Sequence, residues 1–179
     1  GANISLSDAL RAWQEPLGEV FPDRLEDSGQ ALPNIDYSGR STVRPAKSVV
    51  KPRVLIPVFP GTNCEFDSAS AFEAAGAQTE VLVLRNLTPS AVQESLDALA
   101  AAIERVQIIM LAGGFSAGDE PDGSGKFITA ALSSPRVKAA VESLLNKRDG
   151  LMLGICNGFQ ALVKLGLVPY GDIRPLTAD

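Results

Sequence analysis

The chain contains no histidine. That absence removes the side chain most often used as a general base near neutral pH. Cysteine is scarce as well: there are two, Cys64 and Cys156. Two cysteines make no disulfide framework, and they fit a reducing cytoplasm with at most one functional thiol. Lys and Arg never run beyond two in a row and the formal net charge is −5. This argues against a nucleic-acid surface, which needs a concentrated basic patch. No apolar stretch approaches the ~18 residues of a membrane span. The start, GANISLSDALRAW, lacks the charged and long apolar regions of a secretory signal. Sixteen glycines and twelve prolines in 179 residues are too few for a low-complexity chain. What is present is 45% hydrophobic residues, enough for a real core, in a length that suggests one domain plus an extension.

Residues 1–50 read as an extension or linker. Ser5 or Ser7 can cap a short helix on which Leu6, Leu10 and Trp13 share a face. Pro16, Pro22, Pro33 and Pro45 follow among polar residues with no sustained period. Trp13, Leu17, Val20 and Phe21 call for a packing partner. Residues 51–179 form the regular part. Arg53–Phe59 predicts a buried strand, with Pro57 tolerated only where its missing N–H is not needed. Asn63 can cap a helix over 64–75, with Phe66, Ala69, Ala71 and Phe72 on one side and Gly76 at its end. Residues 79–84 predict a second strand. Thr88-Pro89 opens an amphipathic helix on which Val92, Leu96, Leu99 and Ile103 step by 4, 3 and 4. Residues 107–111 predict a third strand, and 127–132 one or two helical turns. Ser134-Pro135 opens a helix with Val137, Val141, Leu144 and Leu145 inward, closed by Gly150. Residues 151–155 predict a fourth strand, 157–165 a helix ended by Gly166, and 167–170 the beginning of a further strand.

Strands alternating with helices predict an α/β fold, a parallel sheet sandwiched by helices. In such sheets sites lie at the carboxyl ends of the strands. Three loops leave those ends, 60–64, 112–126 and 156–158, and they gather the polar and glycine residues.

Gly154-Ile-Cys156-Asn-Gly158, between a buried strand and a helix, has the form of a nucleophile elbow carrying cysteine. A Cβ at 154 or 158 would crowd the neighbouring backbone. The sulfur sits at a helix N-terminus, where the macrodipole favours negative charge, and the N–H of Asn157 is placed to bind an oxyanion. The alternative is a buried cysteine in an ordinary strand-to-helix turn. Gly113-Gly114-Phe115, directly after a strand, would bring a second backbone N–H to the same place. A phosphate-binding or merely tight loop is the alternative there, although no Gly-Lys-Ser/Thr of a P-loop is present. Asp119-Glu120-Pro-Asp122 reads as a solvated or capping cluster before it reads as a metal site. Cys64 reads as a helix-start residue close to the site.

Three ordered motifs carry a resemblance. Gly154-Ile-Cys-Asn-Gly-Phe-Gln160, Gly113-Gly-Phe-Ser-Ala-Gly-Asp119 and Pro60-Gly-Thr-Asn-Cys-Glu65 resemble the class I glutamine amidotransferase domain, a flavodoxin-like fold. More narrowly they are similar to the glutaminase domains of phosphoribosylformylglycinamidine synthases, enzymes of de novo purine synthesis. The run 119–128 resembles the large single-chain forms, and residues 5–24 look like the segment preceding the glutaminase there. The resemblance implies that Cys156 attacks the side-chain amide of glutamine, with Gly113, Gly114, Phe115, Asn157 and Gln160 forming the oxyanion and glutamine site. It implies no cofactor in this chain, and ATP and magnesium in a synthase domain of the same polypeptide that receives the ammonia. It also implies a His and a Glu downstream of the elbow, which this sequence does not contain. The chain therefore reads as a piece of a longer protein, incomplete at its C-terminus. Alone it is expected to be inactive and to self-associate through surfaces that the missing part would cover. The competing readings are a related cysteine-elbow hydrolase or chaperone-like protein, and a non-catalytic ligand-binding module of the same fold.

Overall fold

A computed structural model describes residues 3–21, 36, 38–39, 42, 44, 48–115 and 125–174. The chain divides into two compact units, Gly1–Thr42 and Val43–Asp179. In the first, helix α1 (Leu6–Gln14) is capped by Ser5, whose Oγ accepts the Asp8 N–H at 3.1 Å, and a 3-10 turn follows over Glu15–Leu17. Trp13, Leu17, Val20 and Phe21 are exposed.

The second unit alternates strand and helix. Its elements are β1 (Arg53–Val58), α2 (Glu65–Ala74), β2 (Gln78–Val83), α3 (Pro89–Glu104), β3 (Ile108–Leu111), α4 (Lys126–Ser133), α5 (Pro135–Lys147), β4 (Leu151–Gly154), α6 (Asn157–Lys164) and α7 (Leu167–Tyr170). The four strands form one sheet in the order β2-β1-β3-β4, and every pair is parallel. This is the expected α/β architecture. The order reverses between β1 and β3, so the crevice above that pair is the switch point where such sheets place their ligands.

One face of the sheet is dry. Leu55, Ile109 and Leu111 meet Leu99 and Ile103 of α3, Ile128 and Leu132 of α4, Val141 and Leu144 of α5 and Leu162 of α6 in one cluster. The other face holds Val54, Ile56 and Met110, with Ala69 and a half-buried Phe72 from α2. On that face α2 buries only Ala69, and Phe66 and Ala71, placed on the same side by the sequence, are exposed. Leu151 and Leu153 of the edge strand β4 are exposed as well.

Pro57 lies within the central strand β1 and is buried. Gln107 donates its N–H to the Arg53 carbonyl at 3.0 Å, so residues 53, 55 and 57 turn their backbone groups toward β3. The β1–β3 ladder pairs Val54 with Ile108 and Leu55 with Ile109 and goes no further. It stops where Pro57 has no N–H to offer. The β1–β2 ladder, on the other side, runs through to Val58.

Local signals account for the start of α3 and the end of α2. Thr88 caps α3 through its hydroxyl, with Pro89 at the first helical position. Gly76 follows α2 at φ 90°. Three expectations fail. Cys64, not Asn63, is the residue before α2, and it has left-handed backbone without a side-chain cap. The left-handed position after α5 is Asp149 (φ 56°), and Gly150 serves close packing instead, since a Cβ there would lie 2.2 Å from Leu144 Cδ1. Residues 167–170 are the short helix α7 rather than a strand, because Gly166 at φ 82° starts a turn that returns Arg174 N–H to the Leu165 carbonyl at 2.9 Å.

The last turn of α3 holds no basic residue of its own. Arg148, from the end of α5, supplies the charge. Its Nη1 donates to the carbonyls of Glu104 at 2.9 Å and Val106 at 3.0 Å, and its Nη2 to Ile103 at 2.7 Å. One guanidinium thus donates to two carbonyls of the last turn of α3, Ile103 and Glu104, and to that of Val106 just beyond it. Replacing Arg148 with Ala is expected to lower the unfolding free energy by roughly 1–3 kcal/mol. A urea titration reads this directly, and an unchanged midpoint would remove the cap from the account.

Candidate active site

The loops that leave β1, β3 and β4 meet at one end of the sheet. After β4 the chain turns through Ile155 and Cys156 into α6. Ile155 N–H donates to the Leu111 carbonyl at 3.0 Å, continuing the β3–β4 pairing by one step. Gly158 N–H then returns to the Ile155 carbonyl at 2.9 Å, and Gln160 N–H to the Cys156 carbonyl at 2.9 Å. Cys156 sits between them at φ 52°, ψ −111°. For a non-glycine residue this backbone costs on the order of 1–3 kcal/mol, and it persists only where the surroundings over-determine it.

Those surroundings are glycines. A Cβ at Gly158 would lie 2.1 Å from the Leu111 carbonyl oxygen, and one at Gly154 would lie 2.7 Å from the Gly158 oxygen. Both positions require glycine for the reason expected. The side chain so placed is exposed, and no disulfide joins Cys156 to Cys64, which is also free and exposed. Cys156 is therefore not the buried cysteine of an ordinary turn.

Beside it lies the loop after β3. A Cβ built on Gly113 would stand 3.5 Å from the Cys156 Cβ, in ordinary contact. Gly114 has φ 134°, and a Cβ there would lie 2.1 Å from the Gly61 oxygen. The loops after β1 and β3 are joined: Asn63 N–H donates to Gly113 O at 2.9 Å, Phe115 N–H to Gly61 O at 2.8 Å, and Thr62 and Gly114 form an antiparallel bridge. The turn itself is closed by Thr62 N–H on Phe59 O at 2.9 Å and by Phe59 N–H on Thr62 Oγ1 at 3.0 Å.

Of the residues singled out from sequence, Gly113 and Cys156 are brought side by side. Asn157 is buried as the first residue of α6, and its Nδ2 donates to Gln160 Oε1 at 3.5 Å. Gln160 is exposed on the same first turn. The Phe115 side chain is exposed, and its N–H is already used by Gly61. Residues 116–124, which include Ser116 to Asp119 and the acidic Asp119-Glu120-Asp122 cluster, lie outside the described residues. Among the described residues no group of three or more His, Cys, Asp or Glu could hold a metal ion, and no helix is long and apolar enough to cross a membrane. What sequence reading missed is the pairing at Thr62. Its loop stood out, but nothing local said that its backbone would pair with the glycine loop.

An exposed cysteine on a strained strand-to-helix turn, at the carboxyl end of an open parallel sheet, defines the class of α/β proteins with a cysteine elbow. The model of the CobB/CobQ-like glutamine amidotransferase domain matches residues 51–179, and the chain belongs to that family. It is similar to phosphoribosylformylglycinamidine synthase subunit PurQ of Dehalococcoides mccartyi, 36% identical over 120 residues that make 66% of this chain and 42% of the relative. The subunit PurQ of Sulfurimonas denitrificans is 38% identical over 118 residues, 65% of this chain and 44% of that one. The chain thus spans less than half the length of these relatives. The structure of PurLQS from Thermotoga maritima aligns with a TM-score of 0.45 and 29% identity, covering 65% of this chain and 45% of that chain.

The elbow packing yields a paired test. Gly158→Ala places a Cβ against backbone, whereas Gly76→Ala meets nothing within 4 Å and carries only the strain of φ 90°. The Gly76 variant is expected to lose about 1–2 kcal/mol. The Gly158 variant is expected to lose more and to change the alkylation rate of Cys156. Equal melting temperatures for the two would show that the close packing at Gly158 costs no more than the backbone strain at Gly76.

Proposed function

We propose that this chain supplies the nucleophile and oxyanion loop of the glutaminase of a phosphoribosylformylglycinamidine synthase. The observation that carries the reading is the exposed Cys156, held at φ 52° with the Gly113 backbone alongside. In the proposed reaction the Cys156 thiolate attacks the side-chain carbonyl carbon of glutamine. The carbonyl oxygen takes up negative charge opposite the backbone N–H groups of Gly114 and Asn157. The carbon–nitrogen bond breaks, the nitrogen gains a proton and leaves as ammonia, and a glutamyl thioester remains. Water hydrolyses it to glutamate and restores the thiol.

Ammonia would then serve a synthase region that uses ATP and magnesium to convert formylglycinamide ribonucleotide to the amidine. The PurQ relatives support this acceptor. The likeness of residues 119–128 and 5–24 to the large forms supports a synthase on the same polypeptide. The proton transfers call for a base, and the 179 residues contain no histidine. General acid–base help is worth about 10²–10⁴-fold, so these residues by themselves are expected to release negligible ammonia from glutamine.

The test uses the complete polypeptide that carries these residues, with and without Cys156→Ala. Amidine formation is followed with glutamine or with ammonium as the nitrogen donor. The variant is expected to lose glutamine-dependent activity by at least about 10³-fold and to keep ammonium-dependent activity. If both donors serve both proteins equally, the elbow is structural and a non-catalytic ligand-binding module becomes the better reading.

A further inference from the structure

We propose that Thr62 is a positioning residue for the oxyanion loop, acting through the backbone bridge between residues 61–63 and 113–115; this rests on the glutaminase reading above. The bridge pairs Thr62 with Gly114, and its two hydrogen bonds run from Asn63 N–H to Gly113 O and from Phe115 N–H to Gly61 O. In this antiparallel pattern the bridged residues turn their own N–H and C=O away from each other. The Gly114 N–H therefore points away from the 61–63 loop. The sheet order places β3 between β1 and β4. The extension of β3 beyond Leu111 accordingly has the β1 loop on one side and the β4 elbow on the other. A donor turned away from Thr62 is turned toward Cys156.

The same conclusion follows from the peptide plane. In a trans peptide the carbonyl and the next N–H point in opposite directions. Asn63 fixes the Gly113 carbonyl, and so fixes the Gly114 N–H. Were the Gly113–Gly114 peptide to rotate, a carbonyl oxygen would face the developing oxyanion and repel it. Gly114 is a glycine at φ 134° and brings little rotational restraint of its own. The restraint comes from the neighbouring turn, and that turn is closed by the Thr62 hydroxyl, which accepts the Phe59 N–H at 3.0 Å. Pro57 makes the bridge necessary: it ends the β1–β3 ladder at Leu55↔Ile109, so the two loops are rejoined only at Thr62 and Gly114 among the described residues.

The experiment measures glutamine hydrolysis by the complete polypeptide, comparing Thr62→Val, which keeps the shape and removes the acceptor, with Thr62→Ser, which keeps the hydroxyl. The Val variant is expected to lose on the order of tenfold in kcat, with KM for glutamine changed by less than about twofold, because the donor acts on the transition state. The Ser variant is expected to recover to within about threefold of the parent. Alkylation of Cys156 by iodoacetamide, followed by peptide mapping, is expected to proceed at the parent rate in both. Unchanged kcat in Thr62→Val overturns the inference. So does a joint fall in kcat and alkylation rate, which would mark a folding defect, and so does a Ser variant no better than Val. Full hydrolysis by Cys156→Ala would instead overturn the glutaminase reading itself, and that result is independent of Thr62.

Discussion

The Leu111 carbonyl is the pivot of the molecule. It accepts the Ile155 N–H at 3.0 Å and lies where a Cβ of residue 158 would have to be. The first contact extends the β3–β4 pairing past the end of β4. The second lets α6 start directly over the end of β3. Between these two constraints Ile155, Cys156 and Asn157 have one way to run, and Cys156 takes a backbone that no local preference would choose. The strain is small beside the packing that imposes it. Ala161, Leu162 and Leu165 of α6 and the turn after it lie in the main core, against the sheet, so relaxing Cys156 would mean lifting a helix.

The switch point is built by a different constraint. A central parallel strand ordinarily uses every N–H, and Pro57 in β1 withholds one on the side of β3. The strands separate there, and the two loops reconnect beyond the gap through a short antiparallel bridge. The arrangement gives the glycine loop a hydrogen-bonded neighbour on one side and the cysteine on the other. A flexible Gly-Gly segment is useful at such a place only when something else decides its orientation.

The sheet is covered unequally. Among the described residues, helices α3, α4, α5 and α6 bury one face and only α2 packs on the other, leaving Leu151 and Leu153 of β4 exposed beside the elbow. β4 is also an edge of the described sheet. An apolar edge strand is a surface that natural proteins usually cover, and the cysteine stands at its carboxyl end.

The sequence by itself determined the alternation of strands and helices. The strands are short and mostly apolar, and α3 carries its own period and its cap at Thr88-Pro89. It also determined the elbow, because glycines two residues either side of a cysteine between a strand and a helix leave few other readings. It misread 167–170, where a short apolar run suits strand or helix and the turn at Gly166 decides. It grouped Phe66 with Ala69 but left open its burial, which depends on how far α2 leans over the sheet, a quantity no periodicity contains. Only the tertiary structure decided that Gly113 lies against Cys156, since the two are joined through strand order and not through spacing. Only it decided that Thr62 lies opposite Gly114 in a bridge, because a backbone bridge between loops uses N–H and C=O groups that every residue carries and that leave no mark in the side-chain pattern.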